Sequence, residues 1–352
     1  MPKGKGIRLA RGLLRAAISI VLMWLLLRHA NLHRVADTIK DTHLGWFFLA
    51  MLIKGSGILA GVTRWWLMLR AQQIQFRLTH LGGAYLVGRF FGSFLPSTIG
   101  LDAYRTYWAA IRSRQVARTV AVTVVEKIIG LLALSLLCLA VLPFGQRMLQ
   151  ERTTVLMAVI ISLPILVSVL LLVRPGWFGR LSERWGRRGT RLTVALARMS
   201  DAVARFGRQP GTMLAAVGLG LLVHGGTSAM YLATARAVGA QVSGLEVLFV
   251  GPLMIAATLV PVSIAGIGVR EGTFVFFLST VGVPADQAVL LGFLGYLAGE
   301  IYSLMGGVIW LLMPAVRPQD EHSLVDVVSR AAAWMSRQGS EKREATKNEV
   351  AR

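Results

Sequence analysis

The sequence predicts an all-α fold: a polytopic bundle of membrane-spanning helices containing two broken or re-entrant helices of opposite orientation. Three observations predict it. The 352 residues are 55% hydrophobic and only 16% charged, with a mean hydropathy of +0.60, whereas a water-soluble domain carries about 25% charged residues. Several apolar runs reach the ~20 residues that a helix needs to cross ~30 Å of hydrocarbon. Third, LPSTIGLDAYR (95–105) and VPVSIAGIGVR (260–270) repeat one phrase, with Pro, then Ser or Thr, Ile, a small residue and Arg at equal spacings.

The formal charge of +21 falls mainly between apolar runs, as the positive-inside rule requires of cytoplasmic loops. No aromatic-basic platform accompanies it, so nucleic acid is not expected as a partner. Cys138 is the sole cysteine and lies in an apolar run, which removes disulfide and metal-thiolate chemistry. No cofactor or metal is expected.

In chain order, the basic start and apolar run about 12–27 predict an uncleaved first span with a cytoplasmic N-terminus, Arg15 snorkelling to the interface. A second span, about 44–63, ends in TRWWLMLR, where Trp65 and Trp66 beside Arg64 and Arg70 form an interfacial belt. The Gly-rich run 81–100 has basic segments on both sides, so both flanks favour the cytoplasm. A re-entrant hairpin satisfies them, with Pro96 and Gly100 as the break.

Spans at about 119–144 and 153–173 follow. The loop 174–210 carries nine Arg and is the most strongly cytoplasmic segment. Within it Leu192, Leu196, Met199, Val203 and Phe206 form a stripe beside Arg191, Arg198 and Arg205. That pattern suits a helix on the anionic inner leaflet, or one packed on neighbouring loops. A span at about 212–238 leads to the run 246–283, which holds the second phrase with Pro261, Gly266 and Gly268, and 286–313 is the last span. A second re-entrant hairpin plus one span, or three full spans, returns the chain to the cytoplasm. Residues 1–315 thus form one transmembrane domain, and 316–352 a cytoplasmic tail that is partly disordered.

Two oppositely inserted breaks are an arrangement that transporters use to build a site near the midplane. Broken backbone at that depth must lie inside protein or along a watery cavity. Charges cluster at the same places: Asp102 and Arg105 after the first break, Arg270 and Glu271 after the second, Glu126, Lys127 and Glu300 in the spans that follow. Each ionised group at the bilayer centre costs roughly 2.5–3.5 kcal/mol, so they pair with one another or with a charged cargo. An Arg at the start of a half-helix suits a phosphate. Lys54 and His224 are weaker candidates, read as polar residues with local partners inside the bundle. The alternative is a set of buried ion pairs that only holds helices together.

These residues resemble a known family. LPSTIGLDAYR is similar to the LPxxxGGDxxR segment of the lysylphosphatidylglycerol synthase transmembrane, or flippase-like, family, VVEKIIGLLAL to its acidic-Arg-x-x-Gly-Leu segment, and VPVSIAGIGVREG to its LPxxxxGxGxREG segment. Leu101 stands where a second Gly is usual and Lys127 where Arg is usual, which keeps charge but loses bidentate grip. The resemblance covers roughly residues 10–315. It implies a multi-pass protein of the bacterial cytoplasmic membrane that moves a phosphate-bearing lipid, anionic, aminoacylated or polyprenyl-linked, rather than an enzyme. The segment after residue 316 is too short for the aminoacyl-transferase domain of the fused relatives, so a stand-alone member is expected. An intramembrane lipid-modifying enzyme, with Glu126 or Glu300 as acid/base, and a scaffold for envelope-biosynthesis enzymes are the alternatives.

Overall fold

The computed structural model describes residues 42–93, 99–149, 151–173, 201, 203–260, 263 and 265–313. The expected first span, Pro96 and Pro261, most of the basic loop and the tail lie outside the described residues. The nine longer helices described are α1 Leu44–Ala71, α2 Leu78–Ser93, α3 Ile99–Ser113, α4 Val116–Val141, α5 Glu151–Val173, α6 Pro210–Ala237, α7 Gly244–Leu259, α8 Val269–Leu278 and α9 Ala285–Leu312. Among the described residues every longer element is helical, as the composition requires.

Four segments are long and apolar enough to span a bilayer: Leu44–Ala71, Val116–Gly145, Pro210–Ala237 and Ala285–Leu312. Their outer faces carry side chains that water would penalise and lipid accepts, such as Leu52 at 69% and Leu304 at 65% exposed. In α5, Leu156, Val159, Ile160, Leu163 and Leu166 are likewise exposed. The chain is an integral membrane helical bundle.

The other helices are short. At 1.5 Å per residue α2, α3 and α7 reach only about 22–24 Å and α8 about 15 Å, less than the hydrocarbon thickness. They come in two pairs, one at each copy of the repeated phrase. In the first, Gly88 of α2 faces Leu101 and Arg105 of α3 while Gly92 faces Leu101 again. Residue numbers that fall on one strand of the pair as they rise on the other mean antiparallel packing. Thr106 and Thr123 hydroxyls, 2.6 Å apart, tie α3 to α4. In the second pair α7 packs on α8.

The second break is visible in the backbone. Ala265, Gly266 and Gly268 adopt φ of 52°, 75° and 84°, positive-φ positions just before α8, which Gly268 caps. Gly266 also has Thr258 against it, where a Cβ would meet Thr258 Cγ2 at 2.9 Å, so both its backbone and its surroundings require glycine. Gly100, expected in the first break, is instead helical in the first turn of α3. Pro96, the other residue of the expected break, lies outside the described residues.

The core divides in the same way. One apolar cluster joins α1, α2, α3 and α4 around Trp65, Met68, Leu81, Trp108 and Ile129. The other joins α6, α7, α8 and α9 around Tyr231, Phe249, Phe274 and Leu290. The pairs α1–α6 and α2–α9 pack across the division. At Gly306 a Cβ would collide with the α2 backbone at Leu86, the close approach that small residues permit where lipid gives no hydrophobic drive. Val203 and Phe206, 3% and 1% exposed, sit in the first cluster, and Gln209 Nε2 donates to Ala71 O at 3.2 Å. The described end of the basic stripe thus packs on the bundle, not on a leaflet.

Candidate functional site

Between the two core clusters lies a cavity of about 560 Å³, within the range of small-ligand sites. All the helices named above contribute to its wall except α5. Its lining includes Lys54 and Arg64 of α1, Arg89 of α2, Asp102 and Arg105 of α3, Glu126 and Lys127 of α4, Arg270 of α8 and Glu300 of α9. Six cations thus face three carboxylates in the lining.

Two networks organise these charges. The first is centred on Arg105, which is 4% exposed. Its Nη2 donates to Asp102 Oδ1 at 2.5 Å and its Nη1 to Glu126 Oε1 at 3.2 Å. Arg64 Nη2 donates to the same Glu126 oxygen at 3.1 Å, and Lys127 Nζ lies 2.5 Å from Asp102 Oδ2. The Arg105 guanidinium is stacked over the rings of Tyr85 and Trp65, with its centre 5.1 and 5.2 Å from them. Aromatic faces replace part of the hydration that a buried cation loses. Trp65, expected at the interface, is 1% exposed and packs on Trp108, because a buried guanidinium needs that ring more than the headgroup region does.

The second network gathers around α8. Glu271 Oε2 accepts from Gly268 N at 2.7 Å, closing the first turn of the helix. Its Oε1 is 3.7 Å from Arg270 Nη1, while Arg270 Nη2 donates to Ala265 O at 2.9 Å and the guanidinium lies 4.6 Å from the Tyr296 ring centre. Arg89 Nη2 donates to Gly299 O at 3.1 Å, and Ser93 Oγ to Glu300 Oε2 at 2.6 Å. Lys54 Nζ donates to Thr227 Oγ1 at 3.4 Å. Above Gly299, a Cβ would find Lys54 Cε at 3.4 Å and Arg89 Nη2 at 3.5 Å, so these two cations share one patch of wall.

The sequence-selected residues come together. Asp102, Arg105, Glu126 and Lys127 share one network; Arg270, Glu271 and Glu300 belong to the other side of the same cavity. Glu271 is 1% exposed and stands behind the lining as a helix cap. Arg105 is in the second turn of α3 rather than at its start, because α3 begins at Ile99; only Arg270 stands beside a helix N-terminus. Lys54 and His224 have the local partners expected, with His224 Nε2 against Gly130 O at 3.2 Å, and both also line the cavity.

Two cations escaped the sequence reading. Arg64 passed for an interfacial residue, and Arg89 was overlooked within an apolar, glycine-rich run whose nearest charges are Arg77 and Asp102. An isolated charge inside such a run is itself the signal. Arg64 Nη1, Arg89 Nε, Arg105 Nε and Arg270 Nη1 are buried without a hydrogen-bond partner. Glu126 Oε2 and Glu271 Oε1 are buried without one as well, and unsatisfied buried polar atoms of either sign cost free energy.

A family model described as the lysylphosphatidylglycerol synthase TM region matches residues 12–299. No curated protein matches the chain.

Proposed function

The chain belongs to the lysylphosphatidylglycerol synthase TM region family, and we propose that it moves a phosphate-bearing lipid across the bacterial cytoplasmic membrane. Its function concerns membrane lipids. The finer reading rests chiefly on one observation: a cavity between the two helix pairs whose lining holds six basic side chains against three acidic ones, with Glu271 behind Arg270 as a fourth. An internal ion-pair scaffold has no use for surplus charge of one sign, since each unmatched charge costs several kcal/mol to bury. A transported phosphate supplies the missing negative charge while it is in the cavity.

On this reading Arg105 and Arg270 hold the phosphate, with Arg64, Arg89, Lys54 and Lys127 completing the field. Asp102, Glu126 and Glu271 keep those cations in place through the bonds given above. The short helix pairs enter the membrane from opposite faces and return, and their mutual rocking opens the chamber alternately. Residues 1–315 act as one domain with both termini cytoplasmic, and the chain performs no chemistry on its cargo.

Reconstitution tests this. In vesicles loaded with labelled phosphatidylglycerol, the protein should accelerate transbilayer movement over empty vesicles, and Arg270→Ala should remove the acceleration. Movement equal to empty vesicles for anionic, zwitterionic and polyprenyl lipids alike rejects translocation. Release of a chemically altered lipid would turn the reading to an enzyme.

A further inference from the structure

Of the six basic side chains in the lining, Lys54 alone is held by neither an acid nor a backbone carbonyl. Arg64, Arg105, Lys127 and Arg270 each pair with a carboxylate, and Arg89 donates to Gly299 O. Among the described residues the Lys54 nitrogen has one partner, the Thr227 hydroxyl at 3.4 Å. That hydroxyl donates its own hydrogen to Val223 O at 2.9 Å, so it accepts from Lys54. A neutral amine donates such a bond as readily as an ammonium does, because one N–H is enough.

The surroundings of Lys54 are mostly positive. Arg89 of α2 shares its patch of wall above Gly299, and Arg270 of α8 acts on it across the cavity. Glu300 of α9 is the acid that acts on it, and that carboxylate already accepts from Ser93 Oγ at 2.6 Å. From α6, His224 lines the same space and feels the charge of Lys54. Glu126 and Lys127 of α4, and Arg64 further along α1, belong to the Arg105 network. Like charges and a narrow apolar surround disfavour the charged form of an amine in general. A guanidinium cannot relieve such crowding, since it keeps its proton throughout. Of the two lysines, Lys127 is half exposed and paired with Asp102, which leaves Lys54.

We propose that Lys54 is a proton site of the chamber: its amine is neutral while the chamber is empty and takes up a proton from water as a phosphate ester binds beside it, so that one proton accompanies each anion. This rests on the translocation reading and adds a second ion to it. The step is a proton transfer to the Nζ lone pair, with no other bond made or broken. The formal charges support it. With Lys54 neutral, Arg64, Arg89, Arg105, Lys127 and Arg270 face Asp102, Glu126, Glu271 and Glu300, a surplus of one positive charge. A monoanion and a proton entering together leave that surplus as it was. The loaded chamber then carries no added charge across the membrane potential, against which each elementary charge is worth about 2.3 kcal/mol per 100 mV.

Counting protons tests the proposal without requiring transport. The detergent-purified full chain is titrated calorimetrically near pH 7 with short-chain phosphatidylglycerol below its micelle concentration, in two buffers of different ionisation heat. The lipid phosphodiester keeps its single charge at every pH used, so any proton exchanged belongs to the protein. The wild type should take up about half to one proton per bound anion, and its affinity should rise about tenfold from pH 8 to pH 6, as linkage requires. Lys54→Arg, whose charge is fixed, should bind with no proton taken up and with the same affinity at both pH values. Lys54→Met, which has no amine, should exchange none either, and it decides the matter where Lys54→Arg is not monodisperse. A wild type that takes up no proton overturns the proposal. So does uptake that persists in a folded Lys54 variant, the result expected if His224 or Glu300 were the titrating group. In vesicles, acidifying the side from which lipid departs should speed its movement by the wild type and leave Lys54→Arg unchanged. A chain that takes up the proton on binding but moves no lipid would instead refute translocation and leave the proton site standing.

Discussion

Replacing Arg105 with Met probes the most heavily used charge in the molecule. The residue is 4% exposed and joins Asp102 at 2.5 Å to Glu126 at 3.2 Å. Truncating one partner of a buried ion pair costs about 3–5 kcal/mol, because the other charge is left uncompensated. Two features reduce that here. Glu126 keeps Arg64 at 3.1 Å, and Asp102 keeps Lys127, which is half exposed and worth less for being screened. Methionine also retains contact with Trp65 and Tyr85 through its flexible thioether. The remaining loss is about 3 kcal/mol, the lower end of the range. Arg105→Lys keeps the charge but spans one carboxylate rather than two and loses the planar stacking, so about 1–2 kcal/mol is expected. Thermal unfolding in a fixed detergent, followed by circular dichroism, should rank the wild type above Arg105→Lys and that above Arg105→Met. Equal melting for Arg105→Met and wild type would refute the reasoning, since a free guanidinium on the cavity wall would be the only arrangement consistent with it.

Other positions give independent checks. Gly306→Val should prevent α9 from seating on α2 and lower the yield of monodisperse protein, whereas Gly82→Val, with open space where its Cβ would go, should leave it near wild type; gel filtration decides. Gly266→Ala places a side chain at φ 75° against Thr258, which should cost about 1–2 kcal/mol of stability and slow lipid movement. Lys127→Ala removes a half-exposed ammonium, so melting should shift by less than about 1 kcal/mol while transport falls in the vesicle assay.

Much of this was legible in the sequence. Long apolar runs with charges between them fix membrane helices at 44–71, 116–141, 210–237 and 285–312, because length and hydropathy decide that matter almost alone. The repeated phrase correctly located the two places where helices are short. What the phrase could not give was the exact break. Gly100 is helical although Gly266 and Gly268 are not, since glycine permits a left-handed turn without requiring one. Proline is equally permissive: Pro164 and Pro252 sit inside α5 and α7.

The site followed the same division. Asp102, Arg105, Glu126, Lys127, Arg270 and Glu300 were selected because charges in apolar runs need partners, and the fold gathers them around one cavity. Arg64 and Trp65 were misplaced because an Arg-Trp pair near a helix end has the same composition whether it meets lipid headgroups or a buried carboxylate. Only the face of α1, set by packing against α2 and α6, separates the two cases. The split into two networks depends on which helix brings which cation, and no spacing along one chain carries that.

Native mass spectrometry of the chain released from mild detergent tests the central claim most directly. The account predicts retained phosphate-bearing lipid on the wild type and its loss from Arg105→Ala and Arg270→Ala, each still folded. Lipid retained equally by both variants, or a retained lipid without phosphate, would contradict it.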